Sequence, residues 1–189
     1  DEDSPFERAF AAYSVVIIGS KDPDGDYNLA PKHMVSPLGW SGYYGFACSP
    51  EHGTTDNVKR TGEFTVSYPR PDQIVSVSLS AEQRGSDDHK PDLQAMSTVN
   101  APSVDATFIE NAYVYLECEL ERVIEDLGEN NFVVGKIIGK HVHEDALRRP
   151  EKDDADLISE NPVLAYLHPG RYTEIDYSQA FPFPKDFQK

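Results

Sequence analysis

The segments Ala112 to Ile124 and Phe132 to Val142 alternate apolar and polar residues across the turn sequence Leu127-Gly128-Glu129-Asn130-Asn131. Period two places successive side chains on opposite faces, with Val114, Leu116 and Cys118 on one and Tyr113 and Tyr115 on the other. Gly128, with Asn130 and Asn131 beyond Glu129, suits the reversal between them. Such a pair commits the chain to antiparallel sheet. Further strand signals agree. Tyr13 to Gly19 is a β-branched run ending in the turn Asp22-Pro23-Asp24-Gly25, and Tyr27 onward reads as its return arm. Tyr43 to Cys48 and Phe64 to Tyr68 are two more short strands.

Between these last two, Gly53-Thr54-Thr55-Asp56-Asn57 opens a short helix and Gly62 closes it. Thr54 or Thr55 can cap it, Asp56 suits its first turn, and Gly62 can stop it in the left-handed conformation. Residues 71 to 83 are open between two patterns. Val75, Val77 and Leu79 alternate like a strand, whereas Ile74, Val77, Ser78 and Ala81 fit one helical face. Arg84 to Leu93 reads as a charged loop, and Glu144 to Glu160 as a charged loop with a short helix. Asn161 to Ile175 is apolar again, and the tail from Ala180 to Lys189 carries three phenylalanines without a period. That tail is too aromatic to be free and is expected to pack on another chain. No repeat or linker divides the chain, so residues 1–189 read as one domain.

Charge limits the partners. With 33 acidic and 17 basic residues, the net charge is −16, which disfavours nucleic acid and an anionic membrane surface alike. The longest apolar run, Val15 to Ile18, falls far short of a membrane span. Cys48 and Cys118 form no CxxC pair and read as buried thiols in a reducing compartment, so a cytoplasmic protein is expected.

The richest chemistry lies between Asn28 and Phe64. Asn28-Leu29-Ala30-Pro31-Lys32-His33 leads into the aromatic run Trp40, Tyr43, Tyr44 and Phe46, then into the helix start at Thr54. Unpaired N–H groups beside hydroxyls cradle a phosphate. A flat apolar surface beside that cradle suits a planar phosphorylated cofactor. Other motifs point elsewhere and fail. Asp22 to Asp26 imitates a calcium loop, but the twelfth position is His33. His141 and His143 share a strand face without a clearly spaced third ligand, so no metal is expected. Neither a G-x-S-x-G elbow nor a Rossmann fingerprint is present.

The order NLAPKH, TTDNV and TGEF resembles the flavin reductase-like family, whose members bind FMN in a split β-barrel. Asn100 to Val104, Ala112 to Glu119, Val134 to Gly139 and His141 to His143 resemble the family's later strands, so the likeness spans about residues 13 to 175. The resemblance implies a mainly β fold: a Greek-key antiparallel barrel with a few short helices, including one over residues 71 to 83. It implies that Asn28, Ala30 and Pro31 border the flavin ring, with Lys32, His33 and Met34 continuing that segment. Thr54, Thr55 and Asn57 correspond to the phosphate segment, with Cys48 and Ser49 at its entrance. His33 stands where the family has a small hydroxyl residue, and is the one candidate for a catalytic role, facing the flavin or nicotinamide. Leu38-Gly39-Trp40-Ser41 replaces the family's Asp-Pro-Pro turn. The implied activity is reduction of FMN by NADH or NADPH and onward transfer to a small acceptor; the alternative is a non-catalytic FMN-binding or electron-carrier protein. A homodimer is implied too, with Trp40, Tyr43, Tyr44, Phe181, Phe183 and Phe187 supplying its apolar centre.

Overall fold

The computed structural model describes residues 5–40, 42–82 and 96–185. A short helix, α1 (Pro5–Arg8), precedes β1 (Ala11–Ser14), β2 (Val16–Lys21), β3 (Tyr27–Lys32), β4 (Val35–Pro37) and β5 (Tyr43–Cys48). Helix α2 (Gly53–Thr61) and β6 (Glu63–Tyr68) follow, then a 3-10 turn at Pro71–Gln73 running into α3 (Ile74–Ser80). The rest comprises β7 (Thr98–Asn100), β8 (Thr107–Ile109), β9 (Val114–Leu127), β10 (Asn130–Val142), α4 (Asp154–Glu160), β11 (Val163–His168) and β12 (Arg171–Ile175). Segment 71–83 is therefore helical over its central part. The proposed loop at Arg84 to Leu93 lies outside the described residues.

Seven strands form one antiparallel sheet in the order β3-β2-β6-β9-β10-β5-β4. Strands β3 and β4 occupy opposite edges, yet only His33 and Met34 separate them in the chain. Two residues cannot span a flat sheet, so the sheet must curl until its edges meet. The seam is visible: β3 contacts β5, and the Ala47 N–H donates to the Met34 carbonyl at 2.9 Å. Strands β6, β9 and β10 are successive neighbours, and β5 returns beside β10, which is a Greek key. The result is a split barrel. Strands β1, β11 and β12 make a separate three-stranded sheet, and β7 pairs with β8.

Two cores lie on opposite faces of the barrel wall. Val16, Ile18, Tyr44, Phe46, Phe64, Val66 and Cys118 fill the first, while Val15, Ile17, Leu29, Val77 and Leu164 belong to the second. A strand buried on both faces has no polar side, which is why Val15 to Ile18 is continuously apolar. The run from Tyr13 to Gly19 is nevertheless two strands. It breaks at Val15, β1 pairing with β11 while β2 pairs with β3 and β6.

Three other local expectations change. The β9–β10 hairpin reaches Leu127, so the turn narrows to Gly128 and Glu129. The helix cap is His52, with no side-chain cap hydrogen bond, and Thr54 and Thr55 lie inside the first turn, buried. Tyr44 and Phe46 are core residues at 0% exposure rather than part of a ligand or dimer surface, because alternation along β5 turns them inward. Gly62 does end α2 at φ 75°, its N–H donating to the Val58 carbonyl at 2.8 Å. Trp40, Tyr177, Phe181 and Phe183 are exposed, and Phe187 lies outside the described residues. Among the described residues no helix is long and apolar enough to cross a membrane.

Candidate functional site

Helix α2 packs on β2, and α3 packs on β3, so the starts and ends of two helices converge above one edge of the barrel. Between them lies a cleft of about 380 Å³. Asn28, Ala30, Pro31 and Lys32 of β3 form one wall, and Glu51, His52, Gly53 and Thr54 form the second. Ser80, Ala81 and Glu82 close it from the end of α3. The volume falls in the roughly 300–1,000 Å³ range of small-molecule sites.

Five of the residues singled out from sequence meet here: Asn28, Ala30, Pro31, Lys32 and Thr54. The others are placed differently. Asn57 is buried on α2, and its amide donates to Asp22 Oδ1 at 2.6 Å and to Ser20 Oγ at 3.2 Å. It pins α2 to the β2–β3 hairpin. That hairpin is a turn closed by the Asp22 and Gly25 N–H groups, with Gly25 at φ 100°. Thr55 is 1% exposed and its hydroxyl has no partner, but it does not line the cleft. Ser49 shapes the loop before α2, its Oγ accepting from the Glu51 N–H and its carbonyl from the His52 N–H. Cys48 is buried in the barrel core, and Met34 is 44% exposed at the seam.

His33 sits beside the rings of Tyr166, Tyr13 and His168, at centroid distances of 4.4, 5.6 and 6.4 Å. Burial holds its imidazole below the usual histidine value, and the charges of His168 and Lys32 push the same way. It thus extends the second core outward along the face opposite Ala30 and Lys32.

His141 and His143 are each engaged by a carboxylate. His141 Nε2 lies 2.8 Å from Glu117 Oε1, and His143 Nδ1 lies 2.6 Å from Asp145 Oδ1. Strand β10 ends at Val142, so His143 is already off the strand face. Among the described residues no three potential ligands gather to hold a metal.

Sequence reasoning missed Glu51, His52, Gly53, Ser80, Ala81 and Glu82. The first three directly precede the threonines and could have been included as the turn that enters α2. Ser80 to Glu82 reach the cleft through the packing of α3, which no local pattern shows.

The cleft's chemistry is two-sided. Gly53 and Thr54 begin a nine-residue helix whose first N–H groups have no intrahelical partner. Lys32 is the only lysine or arginine lining it among the described residues, against Glu51 and Glu82. On the opposite wall Asn28 is 3% exposed, and its Oδ1 accepts no hydrogen bond. A buried unpaired acceptor costs about 1–3 kcal/mol, so it calls for a donor from a ligand. The site fits a molecule that is anionic at one end and carries hydroxyl or N–H donors along its length.

Comparison with known proteins bears on the fold. The model of the flavin reductase like domain matches residues 8–176. A protein of Methanothermobacter thermautotrophicus is 28% identical over 154 residues, covering 79% of this chain and 72% of that one. Among solved structures, flavoredoxin of Desulfovibrio vulgaris superposes with a TM-score of 0.79 at 19% identity, over 98% of this chain and 99% of that one. The FMN-binding protein from Thermus thermophilus gives 0.74 at 18% identity, over 91% of each chain.

Proposed function

The chain belongs to the flavin reductase-like family, and from that membership and the cleft we propose that it binds FMN noncovalently and works as an NADH- or NADPH-dependent oxidoreductase. One observation carries the reading: an unpaired helix start and a buried, unpartnered Asn28 oxygen face each other across a cleft of cofactor size. Gly53 and Thr54 would receive the phosphate, with Lys32 as its counter-charge. Asn28 would accept from a donor of the bound molecule, and Ala30 and Pro31 would hold its flat face. Bound FMN supplies the hydride-accepting chemistry, so the protein's task is binding and orientation. No catalytic acid–base pair is required.

The test is direct. Purified protein should show flavin absorbance or take up added FMN, and anaerobic NADH or NADPH should bleach it. Thr54→Ala should weaken FMN by about 1.5–3 kcal/mol, one hydrogen bond to a charged group. Protein that takes up no FMN refutes the reading.

Glu51 and Glu82 favour a second reading. Acidic walls repel an anionic dinucleotide, which suits a carrier whose flavin receives electrons from another protein. Flavin that dithionite bleaches and neither nucleotide does would select the carrier.

A homodimer belongs to the same proposal. Exposed Trp40, Tyr43, Tyr177, Phe181 and Phe183 offer the apolar area such an interface needs, and a second subunit would cover the cleft's open side. Two buried free thiols fit a cytoplasmic location.

A further inference from the structure

Resting on the cofactor reading above, we propose that Asn28 sets the ligand specificity of the cleft by pairing its carboxamide with the imide edge of the flavin ring. Asn28 stands directly opposite Ser20 in the β2–β3 ladder, as Ala30 stands opposite Ile18. Residues so paired point to one face of the sheet, and alternate residues of a strand share it, so Asn28 and Ala30 face the same way. The polar groups beside Asn28 are already engaged: the Asn57 amide donates to Ser20 Oγ at 3.2 Å and to Asp22 Oδ1 at 2.6 Å. Asn28 itself is 3% exposed and lines the cleft, and its Oδ1 has no partner among the described residues. A buried acceptor of this kind stays costly until a donor reaches it.

FMN carries donors of two kinds, the hydroxyls of its ribityl chain and the single N–H of the oxidised ring, at N3. Chemistry and position both favour the ring. A carboxamide presents an acceptor and a donor side by side in one plane, and the N3–H with a ring carbonyl beside it presents the complement. Asparagine reads adenine with two bonds in the same way. A hydroxyl needs one partner, rotates to find it, and leaves the amide's donors unanswered. As to position, Ala30 and Pro31 offer the flat apolar surface, and Ala30 follows Asn28 on the same strand face at about 7 Å. The helix start at Gly53 and Thr54, which would take the phosphate, lies on the other wall. The β2 ladder holds β3 from Tyr27 to Lys32, so the carboxamide is presented from a fixed backbone. A fixed polar group that only one ligand edge satisfies rejects ligands lacking that edge.

N3-methyl-FMN keeps ring, chain and phosphate and replaces only the ring N–H, whereas deoxy-FMN analogues each lack one ribityl hydroxyl. In fluorescence titrations of apoprotein, N3-methyl-FMN should bind roughly ten- to a hundredfold more weakly than FMN. Asn28→Ala removes the carboxamide and makes room for the methyl group. It should weaken FMN by a similar factor and bind N3-methyl-FMN at least as tightly as FMN, while ranking the deoxy analogues as the wild type does. Circular dichroism establishes that the variant is folded. Nuclear magnetic resonance of isotope-labelled FMN reads the contact directly: the N3 proton should exchange slowly with water on the wild-type protein and fast on Asn28→Ala. Fast exchange on the wild type, or N3-methyl-FMN binding to it as tightly as FMN, would overturn the inference whether or not the variant folds. So would an Asn28→Ala protein that keeps the wild-type preference for FMN over N3-methyl-FMN, or that ceases to distinguish FMN from one deoxy analogue. Each of these results leaves the cofactor reading standing. Absence of any FMN binding by the wild type would overturn both.

Discussion

Adding one methyl group at Gly139 should cost this protein about 2–4 kcal/mol. A bulge after Ile137 sets Gly139 opposite Glu117 in the β9–β10 ladder. A Cβ built there would lie 2.9 Å from the Glu117 Cδ and closer still to its Oε1. That carboxylate is 1% exposed and is held by the Ser103 N–H at 2.5 Å and by His141 at 2.8 Å. Gly139→Ala must push it off both partners. Each hydrogen bond to a charged group contributes about 1.5–3 kcal/mol, and alanine returns about 0.5–1 through the lower entropy of the unfolded chain. With partial relaxation the net loss is about 2–4 kcal/mol, or roughly 5–15 °C in Tm for a chain of this size. Urea denaturation at pH 7 reads it as a lower midpoint at unchanged slope. The clash also predicts coupling. In a Glu117→Ala background, Gly139→Ala should cost much less, because the carboxylate is gone and only the Cβ of residue 117, 3.1 Å from the added methyl, still crowds it. A neutral single variant, or additive costs in the double variant, would refute this account.

Three further outcomes follow from the same geometry. Asn57→Asp sets a carboxylate where the amide now donates to Asp22, so stability should fall by about 2–4 kcal/mol at pH 8 and partly recover near pH 5, as thermal melts would show. His33 has a depressed folded value, so the unfolded chain takes up its proton first, and stability present above about pH 6.5 is lost as pH falls below it. His33→Gln should flatten that decline in melts between pH 7 and 5; an unchanged decline would assign it to other groups. Because each chain carries −16, dimers should strengthen as salt rises, and sedimentation showing monomers at every salt concentration would exclude the dimer.

How much of this was legible depended on where each residue's neighbours come from. The β9–β10 pair was readable because both faces of one hairpin carry their own alternation. Its outer end was not: Leu127 pairs with Asn130 beyond an irregularity at Glu125 and Asp126, exposed and outside the core, where pairing leaves no apolar alternation. The break at Val15 was hidden for the opposite reason, since both sides of the run are buried. Tyr44 and Phe46 were recognisable as one face of β5, but whether that face meets a ligand or a core is decided by the barrel's curl. In the cleft, Asn28, Ala30 and Thr54 follow from the order of motifs. Asn57 was ambiguous, because an amide serves a phosphate or a buried hairpin equally well until the fold brings Ser20 and Asp22 to it.

The two-residue link between β3 and β4 bears on how the chain reaches this fold. Barrel closure usually demands that distant strands find each other, yet here the joining edges are neighbours in sequence. The entropy of closing so short a loop is small and comes at the start. The slow search lies across the sheet instead, where Phe64 must register with Cys118 and Tyr68 with Val114. Folding rate should therefore respond to truncations in the β6–β9 ladder and hardly at all to changes at Met34. In kinetic terms the seam is the first part of the barrel to close, and the wall opposite it is the last.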